Sequence, residues 1–429
     1  MTAPEQICVT WRGEITGMEL QLDIRHPANL RDPFPLFRRL RAEAPVYWSG
    51  SLRGWMVTRY DDVLHILQNP LRYSSERFRK LGPEYSSARP AVRDVARVLG
   101  DWMVLRDPPQ HTRLRGFLHN SFTPRTLEAM RPTMQRVVDD LFDRIEAQGS
   151  MEFIEDFAFP LPASVIAAMM GVPPEDIPQM RVWSDQLAAY LGGSQDEQDN
   201  MEQARQGVME MSTYFHGLLK VHEGNPQDDL ITLMLQAKPD GDRLSPEEIV
   251  SNCVLLLFAG HETTTNLLGN GLFHLLRNPA QYRLLRGRPD LAVSAVEEFL
   301  RYDASVPAVL KVAAEDIELG GQEIGQGQVV LPFLASANRD PERFDRADEL
   351  DVARQDNRHL AFAFGIHFCL GAPLARMEAR IAFATLFQRF SNLTLLDEDP
   401  PWLPQIFLRG LEALPVGFHA QGRAKAVVG

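Results

Sequence analysis

Residues Phe362–Met377 read FAFGIHFCLGAPLARM, and the rest of the chain is best understood outward from this stretch. Gly365 and Gly371 flank Cys369 and can take backbone angles closed to other residues, so the chain can turn tightly on either side of the sulfur. Helix signals follow at once. Pro373 suits a first helical turn, and Leu374, Met377, Ile381, Leu386 and Phe387 recur at helical spacing up to Phe390. Cys369 therefore sits at a helix N-terminus, where unpaired N–H groups and the helix dipole favour thiolate over thiol.

A thiolate held in this way is a strong ligand for a soft metal centre. Phe362, Phe364 and Phe368 add a dry, flat-walled surround that suits a planar macrocycle better than a hydrated ion. Two other readings fit the residues alone. An apolar-flanked cysteine is commonly inert and buried, and Cys369 with His367 nearby could also form a nucleophile and base, although such a histidine more often comes from a distant segment.

Phe362, Gly365, His367, Cys369 and Gly371 fall at the spacing of the haem-binding loop of the cytochromes P450, the haem-thiolate monooxygenases, which this stretch resembles. The resemblance implies haem b (iron protoporphyrin IX) as cofactor and Cys369 as the axial iron ligand. It further implies His367 as a haem propionate partner and Phe362 as the aromatic beside the sulfur. Ala363 departs from the pattern, because bacterial members usually carry glycine there.

Composition agrees with a globular enzyme. The 429 residues are 45% apolar and 24% charged, and 57 acidic against 44 basic residues argue against nucleic acid or an anionic membrane as general partners. Cys8, Cys253 and Cys369 are too few for a disulfide framework, which points to a reducing compartment. Met1–Gln21 contains no apolar run, so neither a signal peptide nor a membrane anchor is expected, and the expected location is the cytoplasm.

The spacing predicts a first helix over 29–44, a short hairpin over 46–58, and a second helix over 61–68. From Leu71 to Asp107 the pattern is weak, and the family resemblance assigns this region to a loop over the substrate pocket. Then His111 and Arg115 share one helix face, a cationic pair that fits either solvent or two carboxylates. By the resemblance they are propionate partners. Helices are expected over 126–148 and 161–171, and two more around the polar break 192–200, a place where the family has a mobile lid.

Ser245-Pro246-Glu247-Glu248 is a helix start with a capping box, and the helix can run to Asn278. Between Ile249 and Leu276 there is no Lys or Arg, and Glu262 is the only carboxylate. Ser251, Asn252, His261 and the threonines make a membrane span costly, so a buried central helix is expected. Thr263 can turn its hydroxyl to the carbonyl of Ala259, and with Gly260 beside it the helix has a groove where a diatomic ligand could lie. A helix-packing notch with Glu262 in a salt bridge is the competing reading. The hexapeptide Ala259–Thr264 resembles the family's oxygen-activation motif, which implies that Thr263 hydrogen-bonds dioxygen and Glu262 feeds protons through water.

Glu298 and Arg301 on a helix over 291–302 match the family's structural pair, with Arg354 as third member. Val309 to Ala337 reads as short strands, with Lys311 where the family places a propionate-binding arginine, and further strands are expected over 404–415. By position Leu255, Phe258, Ala259, Val306, Val309 and Ile406 would line an apolar substrate pocket.

The fold expected is mainly α with a smaller β region, as an N-terminal extension (1–28) and one haem-thiolate monooxygenase domain (29–429). The function implied is insertion of one oxygen atom from dioxygen into a hydrophobic small molecule by hydroxylation or epoxidation, as in secondary metabolism. Electrons would come from a ferredoxin and its reductase, docking on Arg113, Arg354, Arg358, Arg376 and Arg380. A peroxide-driven enzyme of the same fold and a non-catalytic haem protein are the alternatives.

Overall fold

The computed structural model describes residues 22–77, 90–119, 122–193, 197–237 and 241–421. Helices form most of it, with a smaller sheet region beside them. Its axis is the helix Pro246–Leu276, whose start is closed by the expected capping box: the Ser245 hydroxyl accepts from the Glu248 N–H, and Glu248 accepts from the Ser245 N–H. Nearly every side chain from Ile249 to Leu275 is buried, because other helices cover it on all sides. Two glycines allow that closeness. A Cβ on Gly260 would stand 2.8 Å from the Ile166 side chain of helix Pro160–Met170, and one on Gly271 would stand 2.9 Å from Phe299 of helix Ala292–Tyr302.

The main sheet places strands Val46–Ser49, Gly54–Val57, Val329–Pro332, Lys311–Ala313 and Tyr73–Ser74 side by side in that order. The pairing Lys311 to Val330 sets the register that carries Lys311 inward. A second sheet joins Ser150–Glu152, Pro415–Ala420 and Phe390–Leu395.

Several expectations need correction. The first helix is two, Pro27–Arg31 and Phe34–Glu43, because Pro33 starts a new helix instead of continuing one. Within the stretch read as weakly patterned, Pro90–Leu99 is a helix and Met103–Leu105 a short 3-10 turn, while residues 78–89 lie outside the described residues. The segment 309–337 ends in a short helix, Leu334–Ala337. Residues 404–414 form no strand, only a single bridge from Trp402 to Leu411, and the strand expected over 404–415 begins at its last residue, as Pro415–Ala420. Helices Ile177–Leu191 and Glu197–Gly224 flank the polar break, of which residues 194–196 lie outside the described residues. Residues 22–28, assigned to the extension, include Ile24, which is buried against Phe34 and Phe37.

Candidate active site

The loop that holds Cys369 is fixed by backbone geometry. The Cys369 N–H donates to the Phe362 carbonyl at 2.9 Å, and helix Ala372–Arg389 starts three residues on with Pro373 in its first turn. Gly365 has φ 70°, and a Cβ there would stand 2.9 Å from the Leu67 carbonyl oxygen, so only glycine fits. Gly371 differs from expectation. Its φ is −80°, and a Cβ would meet nothing nearer than the Cys369 sulfur at 4.0 Å. The position needs an N-cap, not left-handed freedom. Ala363, where a glycine was expected, has φ 57°.

Burial pushes the Cys369 thiol up, while the N–H groups of Gly371 and Ala372 and the cations Arg115 and Arg376 pull the other way. The helix N-terminus pulls in the direction the sequence suggested, but burial outweighs it, so the expected preference for thiolate over thiol is not met by the protein's own groups. Arg376 also lies over the Phe362 ring at 4.6 Å.

Four basic side chains gather here, two from the helix Gln110–His119, one from the strand Lys311–Ala313 and one from the cysteine loop itself. His111 and His367 meet ring to ring at 4.3 Å. Lys311 Nζ donates to the Ser75 hydroxyl at 2.6 Å, and Ser75 in turn lies 3.1 Å from His367 Nε2. Arg115 donates to the Phe368 carbonyl at 2.7 Å. Among the described residues none of the four forms an ion pair, and both His111 ring nitrogens and His367 Nδ1 are buried without a hydrogen-bond partner. The electrostatics follow. Burial first, then repulsion from Arg115 and Lys311, lowers His111 to about 4; burial, then Lys311, His111 and Arg115, lowers His367 to about 2. Burial lowers Lys311 to about 8, opposed by Asp107.

Unpaired, mutually repelling donors in a buried place are costly unless an anion meets them. The donor set fits a group that carries carboxylates and sits against the cysteine, as a haem with its two propionates would. Ser75 and Asp107 were missed by sequence reasoning. Asp107 accepts from the Ser75 N–H at 2.9 Å and from the Ser74 hydroxyl, which places Ser75 between Lys311 and His367. Nothing in local spacing signals a contact across so much sequence.

On the central helix, Ala259, Gly260 and Thr263 are the accessible positions in an otherwise buried run. The Thr263 hydroxyl donates to the Ala259 carbonyl at 2.9 Å, and Ser305 donates to the Thr263 carbonyl at 2.7 Å. Gly260 packs closely on Ile166, as the notch reading expected, while Ala259 is left exposed and Thr263 half-buried. Glu262 forms no ion pair among the described residues. It accepts from Asn266 at 3.4 Å, and burial first, then the Asp185 carboxylate, pushes it up to about 7. Beside it, Arg181 pairs with Glu155 and lies 3.6 Å from Asp185.

Glu298, Arg301 and Arg354 are brought together in the core. Arg301 donates to Glu298 at 2.8 and 2.7 Å, Arg354 donates at 3.0 Å, and Arg301 also holds the carbonyls of Asn338, Ala347 and Glu349. The pocket residues are spread more widely. Leu255 and Phe258 belong to the main core, where Phe258 stacks on Trp102 at 6.0 Å, and Val306 packs against it. Val309 packs against a second apolar cluster and Ile406 is buried in a third. Of the arginines expected to dock a partner, Arg113 is tied to Asp242 and Glu248, and Arg354 is buried on Glu298, so neither is free to do so. Arg358 and Arg376 line a surface depression of about 660 Å³ with Phe362, Phe364 and Phe368.

A haem-thiolate monooxygenase is the class of protein that this fold and this cysteine loop define. The cytochrome P450 family model matches residues 192–287 and 290–411, and the chain belongs to that family. Among its relatives, the biotin biosynthesis cytochrome P450 of Bacillus subtilis (strain 168) is 39% identical over 392 residues, covering 91% of this chain and 97% of that one. The polyketide biosynthesis cytochrome P450 PksS of the same organism is 36% identical, covering 90% of this chain and 95% of its own. The crystal structure of P450BioI in complex with hexadec-9Z-enoic acid ligated acyl carrier protein superposes with a TM-score of 0.85 at 37% identity, covering 91% of this chain and 99% of that one. No helix among the described residues is long and apolar enough to cross a membrane.

Proposed function

We propose that this monooxygenase inserts one oxygen atom from dioxygen into a hydrophobic small molecule of the polyketide, terpenoid or fatty-acid class, by hydroxylation or epoxidation. The observation that carries the reading is the convergence of His111, Arg115, Lys311 and His367 beside Cys369, none of them in an ion pair among the described residues and both His111 ring nitrogens and His367 Nδ1 without a hydrogen-bond partner. In this reading Cys369 would ligate the iron of haem b, His111, Arg115, Lys311 and His367 would hold its propionates, and Phe362 would shield the sulfur. The haem, when bound, supplies the redox chemistry that cleaves dioxygen.

The chain's own residues supply position and protons. Thr263 turns its hydroxyl to the Ala259 carbonyl, and Glu262, whose carboxyl burial pushes up to about 7, can give up a proton and take one back. The apolar side chains of Leu255, Phe258, Val306, Val309 and Ile406 orient the substrate and exclude water. Polyketide biosynthesis in PksS and the fatty acyl chain bound to P450BioI support an elongated apolar substrate in secondary metabolism. A ferredoxin-type donor, with its NAD(P)H-dependent reductase, would dock at the depression lined by Arg358, Phe364 and Phe368, where Arg376 is itself held by Glu297.

The test is the absorption spectrum of the dithionite-reduced protein with carbon monoxide. A strongly red-shifted Soret band that is lost in Cys369→Ser supports thiolate ligation. A band indifferent to that substitution removes the assignment, and the roles of Glu262 and Thr263 with it.

A further inference from the structure

Lys311 stands where the family places an arginine, and it is buried at the start of the strand Lys311–Ala313. A lysine meets its partner as a point charge on a flexible four-carbon stem, without the fork that aims a guanidinium. Its direction has to come from a neighbour. Burial also weighs against the ammonium, and Asp107 is the charge that favours it.

The neighbour is Ser75, itself buried, whose hydroxyl accepts from Lys311 Nζ at 2.6 Å. Having accepted there, the hydroxyl keeps one proton to give, and His367 Nε2 stands 3.1 Å away. Ser75 is held in turn. Its N–H donates to Asp107 Oδ1 at 2.9 Å, and the other oxygen of that carboxylate accepts from the Ser74 hydroxyl. The sheet fixes the backbone as well: Tyr73 pairs with Ala313 and Ser74 with Val312 in antiparallel register, which carries Ser75 to the side of Lys311. An ammonium has three donors, and among the described residues Lys311 spends one of them, on Ser75. Two remain for an anion, in a direction that Ser75 sets.

We propose that Ser75 is a positioning residue of the anion site: its hydroxyl aims the Lys311 ammonium and ties it to His367, giving a lysine the fixed direction that an arginine has from its own fork. The proposal rests on the reading of these basic residues as propionate partners given above. Asp107 acts one step further back, by holding Ser75 in place.

NMR of the lysine-labelled, dithionite-reduced protein with carbon monoxide, together with haem transfer to an acceptor globin, tests this. Ser75→Ala loses the hydroxyl and Ser75→Thr keeps it. The chain's other lysines are Lys80, Lys220, Lys238 and Lys425, so the ammonium signals are few, and Lys311→Met identifies the one in question. At about pH 6, below the value of about 8 to which burial lowers Lys311, the wild type should show its ammonium signal protected from exchange with water. Ser75→Ala should lose that protection and release haem roughly 2–10-fold faster, the range for one hydrogen bond. Ser75→Thr should keep both properties. In Lys311→Arg, whose fork aims itself, adding Ser75→Ala should change haem release much less. A Lys311 signal still protected in Ser75→Ala, haem release unchanged by that substitution, or an equal cost in the lysine and arginine backgrounds would overturn the proposal. Failure of the Cys369→Ser spectral test would remove the propionate reading instead, and the Lys311 signal would still decide whether Ser75 holds the ammonium.

Discussion

The rings of His111 and His367 lie 4.3 Å apart with an interplanar angle of 56°, although one comes from the helix Gln110–His119 and the other from the cysteine loop. Two imidazoles that close cannot both be charged without a counter-anion, and Lys311 and Arg115 add to the repulsion. Both rings are held neutral near pH 7, and an anionic group bound among them would offset the charge of Lys311 and Arg115. Lys311→Met should therefore lower haem retention by about 10–100-fold, the worth of a hydrogen bond to a charged group. Haem transfer to an acceptor globin measures it. Because burial lowers Lys311 to about 8 in the haem-free protein, its charged form is lost as pH rises through that value. Haem uptake should weaken above pH 8 in the wild type and hold steady in Lys311→Arg, whose guanidinium stays charged.

What could be read from sequence follows the range of the interaction. The Ser245 cap, the Cys369 loop and the Glu298–Arg301 spacing are local patterns, so their residue types and intervals already carry the geometry. Ser75 is different. Its role between Lys311 and His367 depends on a strand pairing that brings Tyr73 against Ala313, and its own neighbourhood has no periodicity to announce it. Glu378 was hidden for another reason: Arg376, Glu378 and Arg380 alternate like a solvated face, and only the tertiary fold shows that the carboxylate turns inward. The expected strands over 404–415 failed because that segment spends its backbone groups elsewhere, with Ile406 and Phe407 donating to the Gly192 carbonyl and Arg409 to Ser305.

Ala363 adopts φ 57°, in the left-handed region, where a Cβ costs roughly 1–2 kcal/mol. A glycine relieves that strain but adds freedom to the unfolded chain, worth about 0.4–1 kcal/mol in the other direction. Ala363→Gly should therefore stabilise the protein by about 1 kcal/mol or slightly less, read as a shift of the urea midpoint at constant slope. An unchanged or lower midpoint would mean that the strain is relieved locally.

Glu298 accepts from Arg301, Arg354, the Asp351 N–H and Asn357, all while fully buried beside Arg301. Removing one partner strands the others. Arg301→Met should cost about 3–5 kcal/mol, as for a buried pair broken from one side, and should also release the carbonyls of Asn338, Ala347 and Glu349. Denaturant unfolding of the holoprotein gives the number. Removing both charges together, as Glu298→Leu with Arg301→Met, should cost less than the sum of the two single changes, and strict additivity would argue against the coupling.

Glu262 and Glu378 both carry carboxyls pushed upward by burial, to about 7 and about 8. An acid with a raised folded pKa binds its proton more tightly when folded. Its effect on stability is therefore neutral below the unfolded value of 4.5 and becomes an increasing penalty as pH rises to the folded value, beyond which the penalty is constant. Replacing either with glutamine removes the titration. Glu262→Gln and Glu378→Gln should leave the unfolding free energy near that of the wild type at about pH 4.5 and raise it progressively toward pH 8, by an amount on the order of a few kcal/mol at most. The two should then part in function. Glu262→Gln should lower turnover, because the amide cannot pass a proton, whereas Glu378→Gln should keep it. A stabilised but slow Glu262 variant would show that the core holds this carboxyl for its proton and not for its packing. Equal stability of both variants with the wild type at pH 8 would mean that neither group is as deeply desolvated as its place in the helix interior implies.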